Sequence, residues 1–299
     1  MFEDVRKNKI KSGFIIFGFI LIITLIIYYI SMAFDIDAPV ALTIALLFSI
    51  ISSWVSYYFS DKIILAVSNA RPATEAEDKK IINILDGLMI SSGLSSRPRL
   101  YVVEDAQPNA FATGRNPEHA VICVTTGLLD KLEYYELEGV IAHEMAHIKN
   151  YDILLSAVVT VMVGFIVMLS DMFTRGFFYR SGKSKDNDND GNGILMLIGL
   201  VLLILSPILG KLMQMAVSRR REFLADSTAI EFTRNPDGLI SALRKLDDDP
   251  NELKVANKAT ENMYIVNPFK SNANGKKRAS LFSTHPSIDD RIEALQNIK

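Results

Sequence analysis

The sequence predicts an α+β fold, mainly α: a polytopic membrane protein with four hydrophobic helices and a polar domain carrying a small β-sheet. Three observations predict it. Four uncharged runs, Ser12–Phe34, Ala38–Ser60, Ile153–Ser170 and Gly191–Gly210, hold 23, 23, 18 and 20 residues, each at or near the roughly 20 that a helix needs to cross a bilayer. The stretches outside them carry most of the charge and together match one ordinary domain of about 175 residues. Within the first stretch, short β-prone segments are punctuated by Pro108-Asn109 and Arg115-Asn116-Pro117. With 49% hydrophobic and 22% charged residues among 299, the chain is neither a fully soluble protein nor a purely embedded bundle. The single cysteine, Cys123, excludes an internal disulfide and reads as a buried strand residue between Ile122 and Val124. A net charge of −2 gives no surface for a polyanion, so nucleic acid is excluded as a partner.

The expected organisation has four parts: a membrane hairpin at 1–60, a first polar half at 61–152, a second hairpin at 153–217 with a polar loop at 174–193, and a second polar half at 218–299. Arg6, Lys7, Lys9 and Lys11 precede the first run, and Asp35 and Asp37 follow it. The positive-inside rule therefore puts the N-terminus and both polar halves in the cytoplasm, and the expected location is the inner membrane. The alternative, a signal peptide cleaved near Ser31-Met32-Ala33, leaves that sidedness unchanged. The second hairpin is less regular. Arg175, Arg180, Lys183 and Lys185 lie between its runs and Pro207 interrupts the last one, so a shallow hairpin stands as the alternative to two full crossings.

In the first polar half, Pro72, Thr74 and Ala76-Glu77-Asp78 lead into a helix within 71–86, with Ile81, Ile82, Ile84 and Leu85 as its apolar positions. Strands are expected at Arg99–Glu104, Ala110–Gly114 and Ala120–Thr125, and a helix at Tyr134–Asn150. In the second half, Arg219–Phe232 is a helix continuing out of the membrane. Asn267–Ser280 is a polar loop, and Ser287-Ile288-Asp289-Asp290 opens a final helix reaching Ile298.

The sharpest chemical signal is His143-Glu144-Met145-Ala146-His147. Residues four apart share a helix face, so both imidazoles can ligate one zinc ion while Glu144 stands beside them as a general base. The chain has only four histidines, which makes a chance pairing on one helix the weaker explanation. Catalytic zinc takes three protein ligands and a water, leaving one ligand to be found among His119, His285 and a carboxylate. Glu222 and Asp226, also four apart, offer a ligand and a hydrogen-bond acceptor for a ligand imidazole. Spacing alone equally allows a surface carboxylate paired with Arg219 or Lys211. Asp186-Asn187-Asp188-Asn189-Asp190-Gly191 begins like a calcium loop, but its twelfth position is Leu197, so it is read as a solvated loop.

His143–His147, Arg221–Asp226, Asn109-Ala110-Phe111-Ala112-Thr113-Gly114 and His285-Pro286 followed by Arg291 resemble the HtpX family of membrane zinc metalloproteases, relatives of the type I CAAX-prenyl endopeptidases. The resemblance spans essentially the whole chain. It implies a zincin-like protease domain, one zinc per chain on His143, His147 and Glu222, Glu144 as the base and Asp226 behind a ligand. It also implies that Asn109–Gly114 is an edge strand for an extended substrate, the residue-level alternative being a turn and a core strand. His285 and Arg291 become candidates to stabilise the oxyanion, against a plain scaffold role for each; His119 is read as structural. The implied activity is a zinc metalloendopeptidase acting on polypeptides, misfolded or membrane-embedded, in envelope quality control under stress. A site-specific or prenyl-protein processing enzyme is the near alternative. A membrane scaffold or transporter holding structural zinc is the non-enzymatic one, disfavoured because the residues with metal spacing lie outside the hydrophobic runs and no charge interrupts those runs.

Overall fold

A computed structural model of the chain describes residues 2–33, 36–76, 78–164, 219–251, 253–256, 260–268 and 286–298. The fourth hydrophobic run, the loop at 174–193 with its calcium-like motif, His285 and most of Asn267–Ser280 lie outside them.

Helices α1 (Phe2–Ala33) and α2 (Ala38–Val67) pack against each other as an antiparallel pair. Each contains a segment long and apolar enough to span a bilayer, Ile10–Tyr28 at mean hydropathy 2.5 and Ala38–Val67 at 2.0. Their surfaces are sorted for lipid. Phe14, Phe17, Leu21, Leu47, Ile51 and Trp54 point outward, while Ala41, Ala45, Ser49, Ser53 and Ser56 are buried. Small residues let the backbones approach where lipid tails offer no hydrophobic drive, and Thr24 and Ser49 hydrogen-bond across the pair at 2.8 Å. At about 1.5 Å per residue, the 30 residues of α2 extend about 45 Å, longer than the ~30 Å hydrocarbon core. The excess enters the polar domain, where Ile64 and Leu65 are buried with Val103, Phe111, Val121 and Cys123.

That domain is built on a four-stranded mixed sheet, β1 (Arg71–Pro72), β2 (Arg99–Val103), β3 (Ala110–Thr113) and β4 (Val121–Thr125), in spatial order β1-β2-β4-β3. β2 and β4 are parallel, and the two outer pairings are antiparallel. Alternate β4 residues point to opposite faces. Ile122 and Val124 join the main core, and Val121 and Cys123 join the cluster around α2. Both faces are therefore covered, which explains why the strand reads as a continuous apolar run. The expected strands match within a residue or two. The helix expected within 71–86 starts later, as α3 (Lys79–Ser92), because Arg71 and Pro72 are drawn into the sheet opposite Val102 and Tyr101.

A short α4 (Thr126–Lys131) precedes α5 (Tyr134–Lys149). α5 opens with a capping box in which Glu133 N–H donates to Glu136 at 2.8 Å. It is the central helix, packed against α3, β3, α7 (Arg219–Thr233) and α8 (Pro236–Asp247). Gly139 permits the closest of these approaches: a Cβ there would stand 2.9 Å from Leu239 N. After α5 the chain bends by 85° into α6 (Asp152–Gly164), which carries the described part of the third hydrophobic run. α6 packs on α1 through Leu155, Val158 and Met162 against Ile15, Phe19 and Ile23. The final helix, α9 (Ile288–Gln296), has Ser287 as its N-cap, accepting from Asp290 N–H at 3.1 Å.

Candidate metal centre

His143, Glu144 and His147 lie on α5 among residues of the main core, and His143 and Glu144 are themselves buried. Glu222, on the first turn of α7, meets both histidines: its carboxylate oxygens lie 3.7 Å from His143 Nε2 and 3.6 Å from His147 Nε2. The two Nε2 atoms are 3.1 Å apart. One ligand-capable atom from each of the three residues falls within 4.8 Å of the others.

The remaining ring nitrogens explain why the Nε2 atoms converge. His143 Nδ1–H donates to Asp226 Oδ1 at 2.9 Å, and His147 Nδ1–H donates to Asp152 Oδ2 at 3.0 Å. A neutral imidazole that donates from Nδ1 keeps its lone pair on Nε2. Two such lone pairs and a carboxylate aimed at one point call for a positive charge among them, a metal ion or, in its absence, a proton on one of the rings. Nitrogens sharing a tetrahedral ion at roughly 2.05 Å would stand about 3.3 Å apart, close to the separation observed. The donor set therefore fits a small divalent metal with an N, N, O ligand set.

Glu144 is buried next to this cluster. Burial, together with the Glu222 charge, pushes its carboxyl up to about 7 against the charges of His147 and Arg291 and the backbone amide of Ala112. That amide belongs to β3, the last strand of the sheet. Asn109 O accepts from Thr125 on the β4 side, and Ala110 O accepts from Ile265 N–H at 3.0 Å on the opposite side. By antiparallel alternation Ala112, like Ala110, directs its backbone groups away from β4, here toward the metal cluster.

The edge is only partly open. A strap, Asn262–Val266, crosses its Ala110 end. Asn109 Nδ2 donates to Val266 O at 3.1 Å, and the Tyr264 ring packs edge-on against Phe111. Of the six residues expected to form a substrate strand, Ala110–Thr113 are the strand. Asn109 is a buried tether for the strap, and Gly114 turns the chain at φ +136, where a Cβ would meet His119 O at 2.5 Å.

Arg291 is fully buried, not presented to the cleft. It donates from Nε and Nη2 to Asp226 at 2.9 and 2.6 Å and from Nη1 to Ile265 O at 3.2 Å. His119 lies away from the metal cluster, in a 3-10 turn hydrogen-bonded to Asn116 and beside Arg115. The sequence reading missed Asp152, which is five residues from His147 and so off its helical face, and it missed the strap.

Comparison with known proteins accounts for the arrangement. Residues 75–299 match peptidase family M48. The chain belongs to that family. Along its full length it is 42% identical to the protease HtpX homolog of Dictyoglomus turgidum, over 295 residues covering 99% of this chain and 94% of the relative. It is 38% identical over 307 residues to the homolog of Listeria monocytogenes serotype 4b strain F2365, with both chains fully covered. A looser likeness, TM-score 0.47 at 17% identity, links 99% of the chain to 67% of the crystal structure of S. mikatae Ste24p. This M48 peptidase is a membrane-bound metalloendopeptidase, and its substrates are polypeptides.

Proposed function

We propose that the chain is a zinc endopeptidase of the inner membrane, working at the cytoplasmic face on misfolded or membrane-embedded proteins in envelope quality control. Its proposed organisation is the membrane hairpin 1–60, the first half-domain 61–152, the second hairpin 153–217 and the second half-domain 218–299. That makes four membrane helices and one zincin-like domain. The observation that carries the proposal is the convergence of His143, His147 and Glu222 beside a buried Glu144 at the edge of the sheet.

Zinc held by His143, His147 and Glu222 would supply a Lewis acid that polarises the scissile carbonyl and lowers the pKa of water to about 7. Glu144, buried beside that ligand set, would act as the general base that takes a proton from the attacking water and passes it to the leaving amine. The outward backbone groups at Ala112 pair with an extended substrate, which gives binding tolerant of sequence. Asp226 holds His143 in the ligating tautomer. Arg291 keeps Asp226 charged and in place, a positioning role in place of contact with the oxyanion; His285 stays in the proposal as the oxyanion partner.

Glu144→Gln is the direct test. We expect cleavage of casein or a model membrane protein to fall by at least about 10²-fold, with zinc still near one per chain. Retained proteolysis would overturn the mechanism. Glu222→Gln should lower zinc occupancy, and unchanged occupancy would remove it from the ligand set. The strap favours a second reading, site-specific processing, because it shortens the free edge. A single defined cut in a model membrane protein would support that reading over degradation into many fragments.

A further inference from the structure

The geometry points to Asp152 as a positioning residue of the metal centre, acting through His147 and placed there by a membrane-hairpin helix. The inference rests on His147 being a metal ligand, as proposed above. Asp152 is the first residue of α6. An acidic residue in a first turn is explained well enough by the helix dipole, so its position alone carries nothing. Its surroundings carry more.

On a continuous helix, position 152 would lie about 140° around the axis from His147 and could not reach its ring. It does reach, at 3.0 Å from Nδ1, because the chain turns by 85° between α5 and α6. The turn passes through Tyr151 at φ +59, a left-handed conformation unfavourable for a residue with a bulky side chain. Backbone strain at this point thus coincides with delivery of a carboxylate to the outer nitrogen of a ligand imidazole. The next residues on the same face, Ile153 and Ser156, line the cavity that holds His143, Glu144 and Glu222. The opposite face is fixed to α1 through Leu155, Val158 and Met162. Arg221, in the first turn of α7, approaches Asp152 Oδ1 at 3.7 Å. Described residues from either side of the hairpin, Asp152 and Arg221, therefore come together at the group that orients His147.

A carboxylate on Nδ1 fixes the tautomer, aims Nε2 and raises its basicity; loss of such a partner typically weakens metal binding about 10–100-fold. The test uses the full-length protein in lipid nanodiscs, with zinc affinity measured by chelator competition at 25 °C and circular dichroism confirming the folded state. Asp152→Ala should weaken zinc binding by about 10–100-fold. Asp152→Asn, which can still accept from Nδ1–H, should rescue part of that loss. At saturating zinc, kcat should fall more than KM rises. Zinc affinity within twofold of wild type in both variants would overturn the inference, since a simple helix-capping role leaves the folded protein's affinity unchanged. Asp152→Asn decides the matter alone if the alanine variant does not fold. His147→Ala separates the two levels. If it leaves zinc affinity intact, the ligand assignment itself fails; if it abolishes binding while both Asp152 variants bind normally, only the role of Asp152 fails.

Discussion

The metal cluster is flanked by two arms of the same chemistry, His–Asp–Arg, built in different parts of the molecule. His143, Asp226 and Arg291 lie within the polar domain, on α5, α7 and α9. Their side chains are 1%, 2% and 0% exposed and joined by contacts of 2.6–2.9 Å. His147, Asp152 and Arg221 lie where that domain joins the second hairpin. His147 is 15% exposed, Arg221 is 13% exposed, and the Arg–Asp separation is 3.7 Å. A desolvated, bidentate arginine–carboxylate pair is strong and unforgiving, because removing one partner strands a buried charge. The Arg221–Asp152 pair, at 3.7 Å, is too long for a hydrogen bond and holds its carboxylate with less directional constraint. The first arm therefore reads as a rigid support and the second as an adjustable one.

The largest effect should follow from breaking the rigid arm. Asp226→Ala leaves Arg291 buried without its bidentate partner, and we expect about 3–5 kcal/mol of destabilisation, read as a lowered melting temperature of the zinc-depleted protein. Asp152→Ala, measured the same way, should fall well short of that. Equal losses would erase the distinction between the arms.

The difference also explains what could be read from the sequence. The His143 arm was largely legible. Glu222 and Asp226 share a face of one helix, as His143 and His147 do, so spacing made them candidates while leaving a surface carboxylate equally open. It was the family resemblance that implied Glu222 as the third ligand. The strands around Leu100, Phe111 and Cys123 were legible for a similar reason, each being a short β-prone run between turn residues. Arg291 was noticed through family resemblance, as an oxyanion candidate or a plain scaffold residue, and in the fold it is held by Asp226, with Nη1 3.8 Å from Glu222. Which way a buried arginine points is a tertiary fact, set here by how α9 packs. Asp152 was illegible because its approach depends on a left-handed Tyr151, and nothing in tyrosine announces that conformation. β1 was missed because it is two residues long and exists only through pairing with β2. α8 was missed although Asn235-Pro236 ahead of Leu239, Ile240, Leu243 and Leu246 is a recognisable helix entry.

Proton linkage should separate the arms next. Burial, aided by the Arg291 charge, holds the His143 imidazole below its ordinary value despite Asp226. Burial also opposes charge on His147, but the Asp152 hydrogen bond and the Glu222, Asp152 and Glu144 charges outweigh it and raise the group to about 9. In zinc-depleted protein the signs are opposite. Below the unfolded histidine value of about 6.5, the unfolded chain takes up a proton that folded His143 refuses, so stability falls as pH drops. Between about 6.5 and about 9, folded His147 keeps a proton that the unfolded chain has lost, so stability falls as pH rises. The combined contribution of the two histidines should therefore be greatest near the ordinary histidine value. Melting temperature against pH shows it in a Glu144→Gln background, which removes the opposing titration of the raised Glu144 carboxyl. Metal and proton compete for Nε2, so zinc affinity should climb with pH up to about 9 in wild type. A flat affinity profile across that window would show that His147 enters the site already neutral, as His143 does.

The smallest effect tests how far the adjustable arm extends. Arg221 carries a charge but stands beyond hydrogen-bond reach of Asp152 Oδ1, and burial holds its guanidinium below the ordinary arginine value against the charges of Asp152 and Glu222. Its approach to Asp152 is thus an ion pair at longer range than the contacts of Arg291 with Asp226. Arg221→Gln should weaken zinc binding less than any of the preceding changes, since it acts on Asp152 from 3.7 Å. Arg291→Gln should cost at least ten times as much affinity, because it also releases Ile265 and leaves Asp226 buried without a cation. The sharper measurement is a double-mutant cycle of Arg221→Gln with Asp152→Asn, read as zinc affinity. A coupling close to zero would mean that Arg221 answers to Glu222 or to the membrane surface and not to Asp152. The second arm would then end at its carboxylate, and only the first would be a complete His–Asp–Arg chain.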